Sequence, residues 1–356
     1  GVTAGVYVWD TKSPEPLNDA QLGDFLLPER QRSRARGVEP YLKPALSQSD
    51  LLDRWQQRGL LLDDRDRAAR YLRHIGYYRM SAYVRSFEAD ERDVLRAGTT
   101  FDEVLGLYIF DRKLRLIVLD ALERVEVAVR AALGDQMALV HGPHWYENSA
   151  HFARPSTHTR LLDDVDRMVA DQIQRPREQL AGQDSFVSAL EHYVSRYGEP
   201  ARPPTWIVME ELSFGSIRNV YTSLANTTAQ NDIARTLGLR APVLTSWLLT
   251  YQRVRNICAH HGRLWNRGLG VYPAIPKSRA IRWIDDGDLF IRDEWRRQRL
   301  YPVLVSLQTM LHTIAPGSSW AGRLDDLFRE HPAVLLSGMG IPRGWIDDPF
   351  WPRMHP

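Results

Sequence analysis

FDEVLGLYIFDRKLRLIVLDALERVEVAVRAALGDQMALV, residues 101–140, runs without a proline and with glycine only at Gly106 and Gly134. Thr100 ahead of it and Glu103 within it make the capping-box spacing that starts a helix. Its apolar residues spread around most of the helical circumference, so the stretch predicts one long central helix, buried on several sides and with any bend at Gly134. A chain organised around such an element is mostly α.

Helical patterns continue on both sides. Segment 47–59 ends at Gly59 and 64–75 at Gly76; further helices are expected at 159–181, 184–197, 205–214, 216–225, 230–237, from Pro242 to about His260, and at 294–314. HGPHWY at 141–146 interrupts them, because Gly-Pro ends helices. The stretch RWIDDGDLFIR at 282–292, with Asp-Gly at its centre, predicts a small β-hairpin. Residues 1–40 are rich in Arg and punctuated by Pro, which reads as a loosely ordered arm. From 316 onward, WAGRLDDLFREHP and GMGIPRGWIDDPFW read as a short helix and an aromatic-anchored strap.

Composition narrows the class. With 356 residues, 44% of them hydrophobic, the chain can bury a substantial core. The single cysteine, Cys258, precludes an intramolecular disulfide and points to a reducing, cytoplasmic setting. GVTAGVYVWDTKSPEP at the start lacks the basic and apolar parts of a signal segment, and no uncharged apolar run is long enough to span a membrane, so no membrane association is expected. The net charge of +2 favours no particular partner, although only four of the 46 basic residues are lysines. Arginine suits phosphate and base contacts, and a GC-rich genome produces the same bias.

VRNICAHHGRLWNR, residues 254–267, concentrates imidazole, amide and guanidinium groups on the predicted 242–260 helix. At about 100° per residue, Leu244, Trp247, Leu248, Tyr251, Val254 and Cys258 form an apolar stripe with Arg255 in its middle. A buried guanidinium needs a partner, and Glu123 and Glu126 on the central helix are the candidate acceptors. Arg-x4-His arises about once by chance in this composition, whereas requiring Asn after the Arg lowers the expectation to roughly 0.03.

Together with YLKPALS and RGLLLDD (41–64), IGYYRMSAYVRSF (75–87), LYIFDRKLR and LERVEVAVR (107–130) and SFGSIRNVY (213–221), this motif resembles the Abi-like (AbiD/AbiF) bacterial abortive infection family of the HEPN ribonuclease superfamily, in order from about 41 to 315. The resemblance implies an all-α domain at 41–315 containing a HEPN-like helical bundle (about 100–315); the segment 316–356 after it is read from its own pattern as packing on the body. The resemblance also implies two motif copies meeting across a homodimer, and RNA cleavage in phage defence that requires no metal and no cofactor. A structured noncoding RNA or an antitoxin is a further partner that such a toxin would take. The alternative is a non-catalytic RNA-binding or scaffold protein of the same kind of system.

On that reading Arg255, Asn256 and His260 are catalytic. His260 serves as general base or acid, Arg255 stabilises the developing phosphorane charge, and Asn256 orients phosphate or imidazole. His261, Glu126 and Arg130 would support them, with Glu126 as the partner of Arg255, while Arg253, Arg263, Arg267, Arg79 and Tyr78 would bind RNA. Each has a plainer reading: His261 as a cap, Glu126 and Arg130 as an ordinary i,i+4 pair, Arg263 and Arg267 as cations near a helix C-terminus. Metal ligation is disfavoured, since adjacent His260 and His261 diverge by about 100° on a helix and His141 and His144 have no Cys or carboxylate cluster beside them.

Overall fold

A computed structural model describes residues 44–89, 93–174 and 187–352; the expected arm at 1–40 lies outside them. From Gln48 the elements are α1 (Gln48–Gln57), α2 (Arg65–Ile75), α3 (Tyr77–Val84), α4 (Phe101–His141), α5 (Pro155–Gln174), α6 (Ala189–Arg196), α7 (Thr205–Glu211), α8 (Phe214–Thr222), α9 (Thr227–Thr236), α10 (Ala241–Ala259), α11 (Leu289–Arg292), α12 (Glu294–Arg297), α13 (Tyr301–Ile314) and α14 (Trp320–Glu330). The described residues hold isolated bridges but no strand, so the fold is a helical bundle.

The long segment is a single helix of 41 residues, about 60 Å at 1.5 Å per residue. Its capping box forms as expected: Thr100 Oγ1 accepts from Glu103 N at 3.2 Å, and Glu103 Oε2 accepts from Thr100 N at 2.8 Å. α4 packs against α3, α7, α8, α9, α10, α13 and α14, which explains why its buried residues turn around most of the axis. One stripe stays outside, through Arg112, Leu116, Glu123, Val127, Ala131, Asp135 and Leu139. Gly134 continues the helix and faces Met209 of α7, where an added Cβ would lie 3.5 Å from Met209 Cγ.

Two expectations are corrected. The hairpin at 282–292 does not form; the segment turns through Gly287 N to Asp285 O at 3.0 Å and ends in the helical turn α11. Its alternation comes from core anchors: Ile281, Ile284 and Phe290 are buried, and Trp283 packs between Trp247 and Phe290. The helix expected at 294–314 is broken into α12 and α13. Pro302 has no N–H to bond the carbonyl four residues back, and that carbonyl, Gln298 O, instead accepts from Leu269 N at 3.1 Å. The core continues through α14, whose Trp320 Nε1 donates to Ile117 O of α4 at 2.7 Å, and to the buried Phe350 and Trp351.

Candidate functional site

α10 starts with Pro242 in its first turn and buries Leu244, Trp247, Leu248, Thr250, Tyr251, Val254, Ile257 and Cys258. Burial pushes the Cys258 thiol up to about 12, which keeps it protonated and makes it a core residue. Arg253 points into solvent, and Arg255 and Asn256 lie at the margin of the buried face. The placement of Arg255 in the middle of the apolar stripe is therefore corrected: its side chain is 44% exposed, because the buried face centres on Tyr251, Val254 and Cys258 and extends to Ile257 on the far side.

The helix ends in a Schellman turn. His261 N donates to Cys258 O at 3.0 Å and Gly262 N to Ile257 O at 2.8 Å, with His261 itself at φ 57° in the left-handed region usually left to glycine. His260 is the residue before it, its N–H bonded to Asn256 O at 3.0 Å. Both imidazoles are exposed.

That turn is anchored from below by residues the motif did not reveal. Asp111, fully buried on α4, accepts from Trp265 N at 2.7 Å, from Leu264 N at 3.1 Å and from the Tyr83 hydroxyl at 2.6 Å. It also pairs with buried Arg115, whose Nη1 donates to Gly262 O at 3.3 Å. Desolvation first, and the Asp111 charge second, hold the Tyr83 hydroxyl far above its ordinary range, so it stays a donor. The one signal in the sequence was an acid and a base four apart amid the apolar register of Phe110, Leu114 and Val118.

Further along α4, Glu126 Oε1 accepts from Arg130 Nη2 at 2.7 Å, and its other oxygen lies 3.9 Å from Arg255 Nε. Arg130 also donates to Met209 O at 3.0 Å and Leu212 O at 2.8 Å, clamping the end of α7. Arg255, Glu126, Arg130, Glu123, Leu119, Leu122 and Val127 line an open groove of about 310 Å³. At the start of α8, a Cβ on Gly215 would stand 2.7 Å from Nε2 at the flexible tip of Gln252 on α10.

The remaining cations gather beyond the helix end. Arg263 Nη1 donates to Ala82 O of α3 at 2.7 Å, and Arg267 Nη1 to Arg263 O at 3.4 Å. Burial lowers the Arg267 guanidinium, and the charges of Arg253 and Arg263 lower it further; burial likewise lowers Arg263, with Arg85 adding to it. Arg253 and Arg263 thus act on Arg267 together, while the buried Asp111 carboxylate acts on Arg263 and Arg267 in the opposite sense. Tyr78, 76% exposed, stands one turn before Ala82 on α3 beside the exposed Arg79. Trp265 is buried and donates to Leu335 O at 3.2 Å, so it packs.

As for the histidines at the end of α4, His144 Nε2 contacts Arg202 O at 3.1 Å, while the rings of His141 and His151 lie 4.3 Å apart. Among the described residues no group of three or more His, Cys, Asp or Glu is arranged to hold a metal ion, and no helix is long and apolar enough to cross a membrane.

Comparison with known proteins adds one finding. A family model described as Abi-like protein matches residues 70–266, more than half of the chain, from within α2 to just past the Schellman turn. No curated protein and no solved structure gives a significant match.

Proposed function

Because the chain belongs to the Abi-like family, which ties it to abortive infection, we propose that it is a metal-independent HEPN-type endoribonuclease whose active site is completed across a homodimer. The observation that carries this reading is selective exposure. α10 buries one face along its length, while Arg255, Asn256 and His260 reach solvent at its last turns and Arg255 lines an open groove.

The chemistry follows from the groups. One imidazole removes the ribose 2′ proton; O2′ then attacks phosphorus, and the P–O5′ bond breaks as a second imidazole returns a proton to O5′. Arg255, permanently charged, donates to the equatorial oxygens as negative charge builds. The products are a 2′,3′-cyclic phosphate and a 5′-hydroxyl. A single chain offers one His260, and a second copy supplies the other proton carrier. Val127 (47% exposed), which lines the groove, and Leu116 (57%), three turns away on the outer stripe of α4, give that second copy an apolar landing.

The test is incubation with RNA in EDTA. Arg255→Ala and His260→Ala should each reduce cleavage by about 10²-fold or more while folding is retained. Cleavage that survives both substitutions removes the proposal. The guanidiniums of Arg253, Arg263 and Arg267 near the end of α10 favour a second reading, an RNA-binding protein that does not cut; it takes over if the wild type binds RNA and leaves it intact.

A further inference from the structure

Beyond the Schellman turn the chain runs from Gly262 to Tyr272 and is bonded to the next helical segment through Leu269 N and Gln298 O. This contact brings the chain around Leu269 against the 294–299 segment; the match to the family model ends at 266, so Arg263 lies inside it and Tyr272, Trp295, Arg297 and Arg299 lie beyond it. Two cation–aromatic pairs stand there: Arg299 lies 4.4 Å over the Trp295 ring and Arg297 4.7 Å over the Tyr272 ring. Trp295 is 43% exposed, so part of its ring is open to solvent.

The charge balance is one-sided. Arg297 is paired with Glu294 at 3.2 Å, but neither Arg263 nor Arg299 has an ion pair among the described residues. Arg299 is lowered first by burial and then by the charge of Arg263, which itself also faces Tyr83 and the Asp111 carboxylate. Arg263, held by Ala82 O, and Arg299, held over an indole face, are half-buried like charges that an added anion would stabilise. Rings with cations stacked on them are what unpaired bases and their phosphates use together.

We propose that Arg263, Arg299, Trp295, Arg297 and Tyr272 form a track for single-stranded RNA, leading away from the end of α10 and binding nucleotides beyond the scissile one. It rests on the nuclease reading for its substrate but is independent of whether cleavage occurs. Arg263 and Arg299 take successive phosphates, and the Trp295 and Tyr272 rings support bases. The track lengthens the recognised strand without reading its sequence, because every base has a stackable face.

The experiment is fluorescence anisotropy with the full chain and uncleavable 2′-O-methyl RNA, as a trinucleotide and as an oligomer of about twelve residues. Trp295→Ala and Arg299→Ala should each weaken the longer strand about tenfold and leave the trinucleotide unchanged. Trp295→Phe, which keeps a ring, should retain affinity. Arg299→Ala should also flatten the dependence of log K on log salt by about 0.7, the loss of one phosphate contact on a single strand. Equal affinity of wild type and variants for the longer strand overturns the track, as does equal weakening at both lengths. Polyglutamate binding that falls equally in Trp295→Ala overturns it too, since that marks a general polyanion patch. A wild type that binds neither strand defeats the nuclease reading along with the track; binding without any loss in the variants defeats the track alone.

Discussion

Of the three i,i+4 acid–arginine pairs on α4, the two most buried sit about four turns apart, built alike and used differently. Asp111 and Arg115 are sealed, their side chains 0% and 5% exposed, and every contact they make holds Tyr83 or the chain just after α10. Glu126 and Arg130 are also mostly covered, yet Glu126 keeps one oxygen toward Arg255 and the open groove. The same i,i+4 unit serves architecture where all its partners are internal, and becomes available for chemistry where one partner is left facing solvent.

The largest effect should come from breaking the sealed pair. Asp111→Ala strands a buried guanidinium and two backbone amides, so it should cost about 3–5 kcal/mol, on the order of 10 °C in Tm. Asp111→Asn, which can still accept from Leu264 and Trp265, should lose less. Thermal unfolding decides it; an alanine variant as stable as wild type would dissolve the contrast between the two pairs.

Glu126→Gln tests the open pair. Arg130 keeps Met209 O and Leu212 O as acceptors, so the stability loss should be about 1–2 kcal/mol. If Glu126 orients Arg255, RNA cleavage should fall about tenfold with RNA affinity unchanged or tighter, because a negative charge has left the groove. Intact turnover in a destabilised protein would make Glu126 as purely architectural as Asp111.

Which of these features could be read in advance follows from how local their causes are. The capping box and the span of α4 depend on neighbours three or four residues away, and the sequence predicts them. Asp111 takes its meaning from amides at 264 and 265, far along the chain, so nothing around position 111 identifies them. The margin position of Arg255 depends on how α10 seats against α4, which angular arithmetic on one helix cannot supply. Alternation at 282–292 looks like a strand because two core anchors happen to fall at strand spacing. The Arg-Asn-x3-His cluster itself was legible, since its unusual residue types are contiguous in sequence.

Burial on the sealed side also sets a pH response. His331, whose ring lies 5.5 Å from Phe110, and His312, in contact with Phe350 O at 3.0 Å, are both lowered from 6.5, by burial first and then by Lys113 and Arg282 respectively. Between the folded values and 6.5 the unfolded chain binds more protons than the folded one. Stability is therefore full above 6.5 and lost as pH falls through that window. Tm should decline from pH 7 to 5 by less than Asp111→Ala removes, and His312→Gln should flatten the decline. A Tm that holds steady or rises on acidification would contradict the burial of these rings.

The smallest effect is expected at His261, where the open site and the turn geometry meet. Its φ of 57° costs an L-residue about 1 kcal/mol, and glycine removes that cost while adding a similar entropy to the unfolded chain. His261→Gly should thus change stability by less than about 0.5 kcal/mol and leave the bonds to Cys258 O and Ile257 O in place. Because the backbone is preserved, any change in RNA cleavage belongs to the imidazole alone. Cleavage equal to wild type would make His261 only the residue that turns the chain, leaving His260 as the imidazole that acts. A drop of tenfold or more would instead place two imidazoles of one chain at the scissile phosphate, and the second copy would no longer be needed to supply the other proton carrier.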